Sequence, residues 1–128
     1  MSDATVEEWI TKAETDYESA LDLARRRARP IPDKVAYDCA QCAEKYLKAF
    51  LLRHQRPFRR RHDLIELKTA CQDVDSDFRL VHDVLTTLNQ WSSDIRYPGV
   101  SATVKEAREA VKAMKQVRKF VRAKLGIG

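Results

Sequence analysis

Apolar residues recur along this chain every three or four positions, a period that belongs to helices. Val6, Trp9, Ile10, Ala13, Tyr17, Ala20, Leu21 and Ala24 make one stripe, while Glu7, Glu14, Glu18 and Arg25 lie off it. At about 100° per residue that stripe is roughly 120° wide. It predicts a first helix from about Thr5 to Ala28. Acidic residues crowd its start and Arg25, Arg26, Arg27 and Arg29 its end, in the order that complements the helix dipole. Pro30 and Pro32 stop it.

A second helix is predicted from about Asp33, a plausible N-cap, to Arg53. Its apolar arc is far wider, running through Val35, Ala36, Cys39, Ala40, Cys42, Ala43, Tyr46, Leu47, Ala49, Phe50 and Leu51. A helix of that kind packs on two sides near the middle of a domain. It keeps one narrow polar ridge of Asp38, Gln41, Glu44, Lys45 and Lys48.

Three further helices follow. One is short, from about Asp63 to Gln72, with Leu64, Leu67 and Cys71 inward and Asp63 in its first turn. The next spans about Ser76 to Trp91, burying Phe78, Val81, Val84, Leu85, Leu88 and Trp91. Pro98 and Gly99 mark a tight turn after it. The last runs from about Thr103 to Leu125. Val104, Ala107, Val111, Met114, Val117, Val121 and Leu125 form its stripe, and Lys105, Arg108, Lys112, Lys115 and Lys119 its opposite face. The expected fold is all-α: an up-and-down four-helix bundle of the first, second, fourth and fifth helices, with the short third one capping an end. One domain is expected over residues 1–128, with its core at about 5–125.

Composition agrees with this picture. The chain has 128 residues, 44% hydrophobic and 34% charged, with only three glycines and four prolines, which favours long helices over many short strands. A net charge of +5 permits binding to phosphate, nucleotide or nucleic acid without demanding it. No stretch approaches the ~20 apolar residues of a membrane span. The start, MSDATVEEW, lacks the pattern of a signal peptide, so a cytoplasmic chain is expected. The three cysteines then read as reduced, buried thiols. Cys39 and Cys42 form half a zinc motif, but only Cys71 remains to complete it, so no metal and no cofactor are expected.

Two segments carry possible chemistry. From Arg53 to His62, five arginines and two histidines fall within ten residues. Arginine forks onto phosphate and histidine moves protons near neutral pH. Arg56 and His62 also stand in an R-x5-H spacing. The plainer alternative is a solvated charged loop. The second segment is Asp94-Ile95-Arg96-Tyr97-Pro98, where Arg96 and Tyr97 precede a rigid turn. There the plainer alternative is packing under the turn.

Taken together, Trp9, Ala13, Asp16 and Ala20, the segment from Tyr37 to Ala49 with its Ala43-Glu44-Lys45-Tyr46-Leu47-Lys48-Ala49 core, His62-Asp63-Leu64 and Arg96-Tyr97-Pro98 resemble the HEPN family of small helical domains. The resemblance covers nearly the whole chain. It implies a helical bundle, usually a homodimer, that binds nucleotide or RNA. It also implies a small nucleotidyltransferase as partner, in a toxin–antitoxin pair. By position, Asp38, Gln41, Lys45 and Lys48 would line a cleft with His62, Asp63, Arg96 and Tyr97. Lys45, Lys48 and Arg96 would neutralise phosphate and Tyr97 would stack on a base.

Many family members are metal-independent endoribonucleases with an R-x4-6-H motif near the last core helix. No histidine follows Arg96 here, whereas Arg56 and His62 have the spacing at a different place. The expected function is therefore nucleotide or RNA binding. A metal-independent endoribonuclease using Arg56 and His62, and a non-catalytic interaction module, are the alternatives.

Overall fold

Four helices are arranged around one. The computed structural model describes residues 4–59, 62–92 and 98–128. Its elements are α1 (Val6–Ala24), α2 (Pro32–Arg53), α3 (Leu64–Val74), a 3-10 turn (Ser76–Val81) that runs directly into α4 (His82–Asn89), and α5 (Val104–Lys124). Helix α2 touches every other helix, and its pairing with α1 is the most extensive. The expected all-α bundle is what forms. Among the described residues, no helix is long and apolar enough to cross a membrane.

Small residues let these helices approach closely. Ala13 and Ala20 of α1 are fully buried, as are Ala36, Ala40 and Ala49 of α2. Larger rings fill the far end of the core. Phe50 packs on Phe78 at 4.5 Å, and Phe78 meets Phe120 edge-on at 5.0 Å, which joins α2, the 3-10 turn and α5. All three cysteines are free and buried. Burial pushes each thiol up, that of Cys71 to about 12, so they stay protonated and behave as small apolar residues.

Caps mark most of the boundaries. Thr5 with Glu8, and Thr103 with Glu106, form reciprocal capping boxes at α1 and α5. Asp63 caps α3 by accepting from the Ile65 and Glu66 amides at 2.9 and 3.2 Å. Three expected boundaries differ. Helix α1 stops at Ala24 rather than Ala28. Arg25 to Arg29 are exposed and bring nothing to the core. Arg29 takes φ 50°, outside the α region that the following Pro30 disfavours. Asp33 is not the N-cap of α2. Ile31 holds that position, with Pro32 at the first helical position, where the missing N–H costs nothing. The Asp33 carboxylate instead accepts from the Ala102 amide at 2.6 Å and ties the lead-in of α5 to the start of α2. The expected fourth helix is split. Buried Phe78 and Val81 are three apart, the repeat of a 3-10 helix, before the α geometry resumes.

Helices α2 and α5 end alike. In α5, the Ile127 and Gly126 amides return to Arg122 O and Ala123 O, with Gly126 left-handed at φ 75°. In α2, the Arg56 and Gln55 amides return to Leu51 O and Leu52 O, and Gln55 takes φ 56°. Both are Schellman motifs, but α2 places a side chain where glycine is favoured. Gln55→Gly is therefore expected to raise stability by about 0.5–1 kcal/mol in urea unfolding. A loss of stability would show that the Gln55 side chain contributes more than its strained backbone costs.

Glu14 clamps α1 to α5. Arg118 donates to both of its carboxylate oxygens, at 2.8 and 2.7 Å, and the Tyr46 hydroxyl donates to it from α2. The Arg118 hydrogen bonds hold the Glu14 carboxyl below its ordinary 4.5, against a smaller upward push from burial. A depressed acid stabilises the fold above its unfolded value, and that contribution is lost as pH falls through the depressed one. Glu14→Gln is expected to cost about 1–2 kcal/mol at neutral pH, since the pair is only partly buried. It should also flatten the loss of stability below pH 4.5. An acid limb identical to that of the parent chain would contradict this.

Candidate functional site

The polar ridge of α2 turns inward instead of opening onto solvent. Asp38, Gln41, Glu44 and Lys48 are all buried, and α1 covers much of the seam. Asp38 accepts from the Ser19 hydroxyl and from Lys34, both at 2.6 Å. Lys45 donates to Asp16 at 2.5 Å. Burial raises the Asp16 carboxyl, and the Lys45 ammonium opposes that rise. The Gln41 amide nitrogen is buried with no hydrogen-bond partner among the described residues. Asp38 and Lys45, expected to line a cleft, are thus engaged within the bundle.

The far end of the ridge differs. Glu44 is 2% exposed, and both of its carboxylate oxygens are used. One accepts from Lys48 Nζ at 3.0 Å, the other lies 2.8 Å from His62 Nδ1. An ionised carboxylate only accepts, so His62 donates through Nδ1 and Nε2 takes no part in this contact. The Lys48 ammonium lies 5.4 Å from the Trp9 ring centre and 5.5 Å from that of Phe58. Those two rings meet edge-on at 5.9 Å.

This group lies against a cleft of about 710 Å³ lined by Trp9, Lys48, Leu52, Arg56, Phe58 and His62, among others. The chain makes it with local devices. The Schellman turn reverses the backbone after α2, so Arg56 and Pro57 lead away from the helix axis. Phe58 then folds back onto Trp9, and His62 returns beside Glu44 just before the Asp63 cap. The cleft thus joins an exposed arginine, a half-exposed imidazole and a buried ammonium above two aromatic rings. Cations bind phosphate oxygens, and bases stack on aromatic faces.

The R-x5-H pair of the sequence, Arg56 and His62, therefore meets in one cleft, and Lys48 joins it. Asp63 is occupied as the α3 cap and accepts weakly from Asn89 at 3.4 Å, while the Asn89 carbonyl accepts from the Leu64 amide at 2.9 Å. Arg96 and Tyr97 lie outside the described residues. Three members of the site were not singled out beforehand: Glu44 as the holder of His62, and the Trp9 and Phe58 walls. The Glu44-x3-Lys48 spacing, one turn apart on a helix, was the available signal for the first.

No curated protein shows significant similarity to the chain. A crystal structure of an archaeal HEPN homologue superposes with a TM-score of 0.73 over 95% of this chain and 98% of that one, at 22% identity. At that identity the likeness speaks for the fold. The family model described as HEPN domain matches residues 6–124, from the first turn of α1 to the last residue of α5. The chain belongs to the HEPN domain family.

Proposed function

We propose that this chain is one HEPN domain, spanning residues 1–128, that binds a nucleotide or RNA in the cleft between the start of α1 and the α2–α3 connection. The observation that carries the reading is the meeting of Arg56, His62 and Lys48 over Trp9 and Phe58. Arg56 supplies donors for phosphate, as does His62 in its imidazolium form, and the rings supply a surface for a base. Lys48 adds positive potential from beneath without needing to leave Glu44. The remaining features follow the family resemblance: a homodimer, and a small nucleotidyltransferase as the partner in a toxin–antitoxin pair.

A second reading, metal-independent endoribonuclease, is favoured by one further feature. The Glu44 carboxylate holds the His62 ring through Nδ1, so that in the neutral imidazole Nε2 is the unprotonated nitrogen that a base toward a ribose 2′-hydroxyl requires. Arg56 would then stabilise the charge that develops on the phosphate.

Titration with ATP, GTP or short RNA, followed by amide and indole NMR shifts, is expected to move Trp9, Lys48, Arg56 and His62 together. Silence at all four with millimolar ligand would remove the binding reading. Incubation with RNA in a chelator separates the two readings. Cleavage that disappears in His62→Ala and falls at least tenfold in Glu44→Gln would establish the endoribonuclease. Equal background cleavage in all three proteins would leave binding alone.

A further inference from the structure

A second cleft lies at the other end of the bundle. The end of α1, the connection to α2 and the first turn of α5 enclose about 620 Å³. Ala24, Pro30 and Val104 form its floor, and Arg25, Arg26, Arg27 and Arg108 its rim. Helix α2 begins here and ends beside the His62 cleft. Its 22 residues, at 1.5 Å each, separate the two by about 30 Å.

The rim arginines differ from the cations that hold the helices together. Lys45, Lys48, Arg118 and Lys124 each hold a carboxylate of this chain. Arg25 is likewise satisfied by Asp22 at 3.2 Å. The guanidinium groups of Arg26, Arg27 and Arg108 have no hydrogen bond or ion pair among the described residues. The nearby carboxylates of Asp33 and Glu106 are occupied by the Ala102 and Thr103 amides. Three forked cations thus surround an apolar floor whose Val104 is 41% exposed. Two helices, α2 and α5, start at this end and one, α1, ends there, which leaves one positive dipole end in excess.

From Arg108 the positive charge continues down α5. Lys105, Arg108, Lys112, Lys115 and Lys119 alternate by three and four residues, so they form one stripe opposite the buried face of Ala107, Ala110, Met114, Val117 and Val121. Neighbouring cations stand on the order of 5 Å apart along the axis. An evenly stepped row of charge fits a polymer that repeats its own charge evenly, as a phosphodiester chain does. An apolar floor between guanidinium forks suits a base face with its phosphate.

We propose that the Arg26–Arg27–Arg108 cleft and the α5 stripe form a second nucleic-acid surface. Its arginines hold phosphates of single-stranded RNA, and Lys112, Lys115 and Lys119 guide the strand along the helix. The surface stands on residues separate from the His62 cleft. The test is binding of a labelled oligouridylate to the full chain, by fluorescence anisotropy across a salt series. The triple variant Arg26→Gln, Arg27→Gln, Arg108→Gln is expected to bind at least tenfold more weakly at low salt. Its slope of log K against log salt should shrink by about 2, because each single-strand phosphate contact contributes about 0.7. These three side chains are exposed, so an unchanged circular dichroism spectrum is expected to accompany the loss. In a His62→Ala background the same triple substitution should produce the same drop, which separates the two clefts. An unchanged affinity and slope in the triple variant overturns the proposal. So does displacement of the RNA by poly-glutamate as readily as by unlabelled oligouridylate, which would assign the surface to an acidic protein.

Discussion

A carboxylate cannot be buried alone, and Glu44 is almost wholly buried in the middle of the central helix. Removing such an ion from water costs several kcal/mol unless partners compensate. Its compensation comes from two directions. Lys48, one turn along the same helix, takes one oxygen, and His62, from the connection to α3, takes the other. The second contact holds His62 against the bundle, and Phe58 packs onto Trp9 beside it. The shape of the cleft and the tautomer of its histidine therefore depend on one buried negative charge.

The same chemistry accounts for the rest of the seam. Asp38 with Ser19 and Lys34, and Asp16 with Lys45, fasten α1 to α2 beside the buried alanines of both helices. Charged groups that bind α1, α2 and α5 together have partners within the fold. Cations without such partners among the described residues include Arg26 and Arg27 at the α1–α2 connection, Arg56 in the His62 cleft, and Lys112, Lys115 and Lys119 along the outer face of α5.

Most of the architecture was legible in the sequence because it depends on periodicity and caps. The stripes of α1, α2 and α5 and the Asp63 cap of α3 follow from local rules. The misses have one physical origin in common: a polar side chain does not announce its partner. The α2 ridge read as a surface facing a hollow, yet Asp38 and Lys45 face carriers of opposite charge on α1 and on α2 itself. Asp33 read as a cap, yet a distant amide claims it. In the site, Arg56 and His62 were visible from spacing. Their wall and their holder were not, because Trp9 and Phe58 are brought together by the tertiary fold and nothing in the polar ridge marked Glu44 as the partner of His62.

The most direct test of this account is the protonation site of the His62 ring, read from its imidazole 15N shifts by NMR at a pH where the ring is neutral. The account predicts the tautomer with hydrogen on Nδ1, and a shift toward the ordinary tautomer mixture in Glu44→Gln. Hydrogen on Nε2 in the parent chain, or shifts indifferent to Glu44, would contradict it.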